Sequence, residues 1–130
     1  MTKPRIVVIE DDDDLRTVIA MLLGGDGYDV AAFGSAREGV LAIENGRPAD
    51  LIVLDLMMPE VSGFDVVNAL HVDPATARIP ILVVTANQIT LDDRQTLEGF
   101  VSTIMEKAEF DRDRFITEVR RAMLGRPAAA

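Results

Sequence analysis

Leu51-Ile-Val-Leu-Asp-Leu-Met-Met-Pro59 is the stretch that decides the fold of this chain. Its first four residues are all branched and apolar, so no face of the segment is suited to water. Such a run reads as a strand covered on both sides, as strands of a parallel sheet are beneath their helices. The run stops at a carboxylate, Asp55. Three other segments repeat the design. Ile6-Val-Val-Ile9 runs into Glu10-Asp11. Ile81-Leu-Val-Val84 ends at Thr85 and is opened by Pro80, at a first position where no ladder hydrogen bond is lost. Val101 to Met105 is followed by Lys107.

The segments between them have helical spacing. Leu15, Val18, Ile19, Leu22 and Leu23 recur at i, i+3, i+4, i+7 and i+8, the apolar stripe of an amphipathic helix, and Gly24-Gly25-Asp26-Gly27 is expected to stop it. Tyr28 to Phe33 reads as a further strand. Ser35 followed by Glu38 is a capping-box signature for a helix over about Ala36 to Asn45. Ser62 to His71 and Thr90 to Leu97 are shorter helical stretches. Phe115, Ile116, Val119, Ala122 and Met123 form one face of a last helix, closed by Gly125 and Pro127. Strands thus alternate with helices throughout, which implies an α/β, doubly wound parallel sheet with helices on both faces. The expected architecture is (βα)5, flavodoxin-like, with strand order 2-1-3-4-5.

The bulk properties limit what this fold can do. The 130 residues suit one domain, expected over residues 1–125 with a short tail at 126–130. Lysine and arginine total 13 against 22 acidic residues, a formal charge of −9. Only Arg112, Arg114, Arg120 and Arg121 cluster loosely, so binding to nucleic acid phosphates is not expected. The absence of cysteine excludes disulfides and thiolate chemistry. No apolar run reaches the roughly 18 residues of a membrane span, and Met1-Thr-Lys-Pro4 has no signal-peptide core. A cytoplasmic location and no membrane partner are the expectations.

In an open parallel sheet, ligands bind beyond the carboxyl ends of the strands, where the winding reverses. For order 2-1-3-4-5 that point lies between strands 1 and 3, which brings Glu10, Asp11 and Asp55 into one crevice. Thr85 and Lys107 reach the same edge from strands 4 and 5. Three ionised carboxylates repel one another and call for a counterion. An oxygen-only donor set favours a hard cation, Mg²⁺ (or Mn²⁺). An aspartate with a reference pKa of about 3.9 is ionised at neutral pH and can attack phosphorus to form an acyl phosphate. The metal and an ammonium would screen the phosphoryl oxygens, and a hydroxyl could bond one of them.

Taken singly, each residue has a plainer reading. Asp12 to Asp14 suit the positive end of a helix, where one of them caps it. Asp55 could form a turn before Pro59, Thr85 could be an ordinary strand residue, and Lys107 a surface charge. The convergence of strand ends favours the chemical reading over these. His71, the single histidine, is expected to be an exposed surface residue.

The stretches Ile6-Val-Val-Ile-Glu-Asp-Asp-Asp-Asp-Leu-Arg16, Leu51 to Asp65 and Pro80-Ile-Leu-Val-Val-Thr-Ala86 resemble bacterial response-regulator receiver domains. The resemblance covers essentially the whole chain, most strongly in Asp-Leu-Met-Met-Pro with Gly63 behind it. It implies that Asp55 accepts a phosphoryl group and that Glu10, Asp11, Asp55 and the backbone carbonyl of Met57 hold Mg²⁺. Thr85 matches the switch hydroxyl, Ala86 the small residue that keeps the pocket open, and Lys107 the lysine that pairs with the phosphoryl group. The implied donor is a histidine kinase or a histidine phosphotransfer protein. The implied output is contact with a downstream protein through helix 4, strand 5 and helix 5, about Thr90 to Leu124, so the chain is a switch and not a turnover enzyme.

Three positions depart from the family pattern. Ile104 stands where many members carry an aromatic reporter, Ala108 follows Lys107 in place of proline, and the acidic pair begins with Glu10. Other readings are the receiver module of a hybrid histidine kinase, an aspartate-nucleophile phosphatase of the haloacid-dehalogenase type, and a flavin carrier. The phosphatase chemistry wants a second aspartate where Met57 stands. A flavin carrier would lack both an anion site and a ring to stack on.

Overall fold

The computed structural model describes residues 3–86 and 89–124. Strands β1 (Arg5–Ile9), β2 (Asp29–Phe33), β3 (Leu51–Asp55), β4 (Ile81–Thr85) and β5 (Thr103–Glu106) alternate with helices α1 (Asp13–Gly25), α2 (Ala36–Asn45), α3 (Gly63–Val72), α4 (Leu91–Leu97) and α5 (Arg112–Leu124). The strands form one parallel sheet in the order β2-β1-β3-β4-β5, as expected. No helix among the described residues is long and apolar enough to cross a membrane.

The strand pleat sorts the core into two layers. Val7, Ile9, Ile52, Leu54, Ile81 and Val83 point to one face, where Ala36 and Ile43 of α2, Val66, Val67 and Leu70 of α3, and Leu97 of α4 cover them. Ile6, Val8, Leu51, Val53, Leu82, Val84 and Met105 point to the other. There they meet Ile19 and Leu23 of α1 and Phe115, Val119, Ala122 and Met123 of α5. Burying each large side chain stabilises the fold by about 1.5–3 kcal/mol. Because β3 and β4 are buried along their whole length, the polar residues at their ends have a rigid support.

Local signals set the helix starts. Asp12 caps α1, its carboxylate accepting from the N–H groups of Asp14 (3.0 Å) and Leu15 (3.1 Å). Ser35 caps α2 by accepting from Glu38 N–H, and Ser62 and Thr90 do the same for α3 and α4.

Several boundaries differ from the expectation. Helix α1 continues through Gly24 and Gly25. The chain reverses at Gly27, whose φ of 94° lies in the region glycine tolerates. Strand β5 starts at Thr103 and not at Val101, because the N–H groups of Phe100 and Val101 bond back to Leu97 and Gly99 turns with φ 90°. Val101 makes only an isolated bridge with Glu98. Lys107 opens a 3₁₀ turn over Lys107–Glu109, and no cis peptide bond occurs among the described residues. The expected terminators Gly125 and Pro127, and the 126–130 tail, lie outside the described residues.

Candidate functional site

Register brings the strand ends level. Ile9 pairs with Leu54, Asp55 with Val84, and Thr85 with Glu106. Glu10 follows directly on β1, its N–H donating to the carbonyl of Phe33 at 3.0 Å. Glu10 and Asp55 are each only 2% exposed, and Thr85 is fully buried. Asp11 is exposed. One carboxylate oxygen from each of Glu10, Asp11 and Asp55 lies within 4.8 Å of the others.

Lys107 reaches this cluster from just past β5. Its Nζ stands 2.8 Å from Oε1 of Glu10 and 3.3 Å from Oδ2 of Asp55. The contact with Asp55 is a hydrogen bond, and the closer approach to Glu10 is an ion pair. The other carboxylate oxygen of Asp55 accepts from the N–H of Met57 at 3.0 Å. This bond ties the Met57 peptide to the aspartate and fixes the Asp55 rotamer, while the Met57 side chain is half exposed.

Two neighbours give the site its shape. Gly63 N–H donates to the carbonyl of Leu56 at 3.0 Å. A Cβ at Gly63 would stand 2.4 Å from Leu56 Cα and 2.8 Å from the Asp55 carbonyl oxygen, so only glycine lets α3 begin against the chain leaving β3. Ala86, next to Thr85, is exposed.

The electrostatics are those of a site short of positive charge. Burial, reinforced by the carboxyl of Asp55, pushes the Glu10 pKa up from 4.5 to about 8, with Lys107 only partly opposing. Burial works against the Lys107 ammonium too, but contact with Glu10 and Asp55 outweighs it and holds its pKa above the ordinary value. One buried polar atom, Oγ1 of Thr85, has no hydrogen-bond partner among the described residues, while Oε1 of Glu10 meets the Lys107 ammonium. Three carboxylate oxygens converging within 4.8 Å, with a single ammonium between them, fit a hard divalent cation.

Glu10, Asp11, Asp55 and Lys107 therefore come together, with Thr85 at the adjacent strand end. Asp12 is the helix cap. His71 lies in the last turn of α3, exposed and edge-on to Phe100 with ring centroids 4.3 Å apart, at the opposite end of α3 from Gly63. Ile104 is half-buried and packs on the core beneath α2, α3 and α4. Sequence reasoning passed over Arg16, whose guanidinium donates to the Glu10 carbonyl at 2.9 Å. A buried-side arginine so near an acidic run was the available signal.

Fold and site together define a response regulator receiver. A family model described as the response regulator receiver domain matches residues 6–120, and the chain belongs to that family. DNA-binding response regulator MtrA of Mycolicibacterium smegmatis is 37% identical over 90 residues, covering 69% of this chain and 38% of MtrA. The DNA-binding dual master transcriptional regulator RpaA of Synechocystis is 36% identical over 117 residues, 90% of this chain and 48% of RpaA. The chain thus spans half or less of the length of these relatives. Among solved structures, a sensor protein from Polaromonas superposes with a TM-score of 0.80 at 30% identity, covering 92% of this chain and 95% of that one. The signal receiver domain of a Luxo repressor protein from Vibrio parahaemolyticus gives 0.83 at 25% identity, with 94% and 91% covered.

Proposed function

We propose that this receiver domain takes a phosphoryl group onto Asp55 from a phosphohistidine of a histidine kinase or histidine phosphotransfer protein. The observation that carries this reading is the Lys107 ammonium held against Asp55 and Glu10 beside a crevice of three converging carboxylates.

A carboxylate oxygen of Asp55 attacks phosphorus, an O–P bond forms, and the P–N bond to the donor imidazole breaks with its electron pair going to nitrogen. The buried backbone of β3 and the Met57 N–H hold the attacking group in one rotamer, which lowers the entropic part of the barrier. Lys107 stays close enough to follow the new negative charge from carboxylate to phosphoryl oxygen. Thr85 Oγ1, buried and without a hydrogen-bond partner among the described residues, has an O–H to donate to that oxygen. Mg²⁺ (or Mn²⁺), held by Glu10, Asp11, Asp55 and the carbonyl of Met57, would neutralise the phosphoryl oxygens when bound.

Output runs through a protein partner on the surface of α4, β5 and α5. The chain is a switch with self-catalysed gain and loss of one phosphoryl group, acting in the cytoplasm. The net charge of −9 supports contact with protein rather than nucleic acid for this segment. A second reading, a receiver module within a longer sensor kinase, is supported by the likeness to the Polaromonas sensor protein and uses the same chemistry.

Incubation with acetyl phosphate and Mg²⁺, followed by intact-mass analysis, should add one alkali-labile phosphoryl group that Asp55→Asn abolishes. Equal labelling of the asparagine variant would refute the assignment. Steady turnover of a simple phosphate ester would point instead to a phosphatase.

A further inference from the structure

Arg16 occupies a junction of three elements. From α1, its Nη1 donates to the Glu10 carbonyl at 2.9 Å and its Nη2 pairs with Asp13. The fork lies against Gly34 in the turn after β2, where a Cβ would stand 2.9 Å from Nη1. The side chain is only 24% exposed. Glu10 lies one residue beyond β1, yet both of its backbone groups are held. The N–H is bonded to Phe33 and the carbonyl to Arg16.

The carbonyl of Glu10 belongs to the peptide that carries the nitrogen of Asp11. Since that peptide is planar, fixing the carbonyl direction fixes the plane and leaves Asp11 only its own φ and ψ. One residue further on, Asp12 is pinned as the cap of α1. Asp11 is therefore suspended between two anchors. Of the three clustered carboxylates it alone is exposed, so packing does not position it.

We infer that Arg16 is a positioning residue for the carboxylate cluster, orienting the Glu10–Asp11 peptide so that Asp11 faces Glu10 and Asp55. The inference rests on the metal-site reading given above. Arginine suits the task because its planar fork reaches two acceptors at a fixed angle, the Glu10 carbonyl and the Asp13 carboxylate. A lysine would reach one acceptor at a time.

The test is Mg²⁺ binding to the full chain by titration calorimetry, with thermal melting in parallel, for wild type, Arg16→Met, Arg16→Lys, Gly34→Ala and Asp11→Asn. Methionine keeps the apolar stem and loses the fork. Its Mg²⁺ affinity should fall about tenfold, the scale expected when support of a metal ligand is removed, with lysine intermediate. Gly34→Ala keeps every native side chain and pushes on the Arg16 fork through Nη1, so it reports even if Arg16→Met fails to fold. Its affinity should fall by a smaller factor. A structural staple alone would lower the melting temperature and leave the affinity of the folded protein unchanged, and that result would overturn the inference. If Asp11→Asn still loses binding in that case, the metal site survives without the role for Arg16. Wild type and Asp11→Asn both failing to bind would overturn the metal site and the inference together.

Discussion

Lys107 sits closer to Glu10 than to Asp55, 2.8 Å against 3.3 Å. The ammonium thus stands as the counterion beside Asp55, and beside Glu10 whenever that carboxyl ionises. A divalent cation bound by the same oxygens would compete with it, leaving Lys107 free to follow charge as it builds elsewhere.

Removing that ammonium should separate its two roles. Lys107→Met should cost the metal-free protein about 1–3 kcal/mol at neutral pH, the scale of leaving buried polar groups without their partner. Its Mg²⁺ affinity should stay level or rise, because the competing cation is gone, while labelling by acetyl phosphate slows. Denaturant melts, calorimetry and intact-mass kinetics check the three effects. A large loss of Mg²⁺ affinity would show that Lys107 supports the metal rather than competing with it.

The raised Glu10 pKa, about 8, predicts a pH dependence whose sign can be worked out. Between its ordinary value of 4.5 and about 8, the folded protein keeps a proton on this carboxyl that the unfolded chain has lost. The unfolded state binds fewer protons, so this group's contribution to stability falls as pH rises through that window. Mg²⁺ prefers the ionised carboxylate, so its stabilising effect should be larger near the top of the window than near the bottom. Melting curves across the window, with and without Mg²⁺, read this directly. Glu10→Gln should flatten both trends, and an unchanged slope in that variant would assign the effect to another group.

Thr85 keeps a buried hydroxyl with no partner among the described residues. Thr85→Val has nearly the same shape and removes that unsatisfied group. The metal-free protein should become more stable by about 1 kcal/mol. If the hydroxyl exists to bond the phosphoryl group, the same variant should accept the phosphoryl group but bind its downstream partner without regard to phosphorylation. A destabilised valine variant would mean the hydroxyl has a partner in solution.

Gly63→Ala drives a Cβ to 2.4 Å from the Leu56 backbone, which cannot rotate away as a side chain can. The expected cost is at least about 1–3 kcal/mol. Because the displaced chain is the one leaving Asp55, acetyl phosphate labelling should slow as well. Wild-type stability and labelling in this variant would show that α3 can start elsewhere.

Much of the site was legible because the chemistry stands at strand ends. Asp55 closes a run of four apolar residues, Glu10 follows another and Thr85 a third. A strand buried on both faces leaves its pattern in consecutive residues. A cap somewhere in Asp12 to Asp14 was legible for a similar reason, since a cap bonds to N–H groups two and three residues away, and the structure singles out Asp12. The start of β5 was misplaced at Val101 because the turn at Gly99 and the bonds back to Leu97 override an apolar run. Arg16 was passed over because its partners, the Glu10 carbonyl and the surface of Gly34, are backbone features that side-chain patterns do not report.

From the chain alone came the alternation of strands and helices, the strand order, and the set of residues available at one edge of the sheet. The alternation follows from local periodicity, and the strand order is that of the flavodoxin-like arrangement the alternation suggests. Tertiary structure decided the pairings. Lys107 lies 52 residues from Asp55 in sequence, and which carboxylate its ammonium approaches depends on the register of four strands and on the 3₁₀ turn after β5. Burial of Glu10 and Thr85, and with it the shifted proton affinity and the unpartnered hydroxyl, arises only when both helix layers close over the sheet. A pattern read along the chain names the groups, and packing sets their distances and their charge.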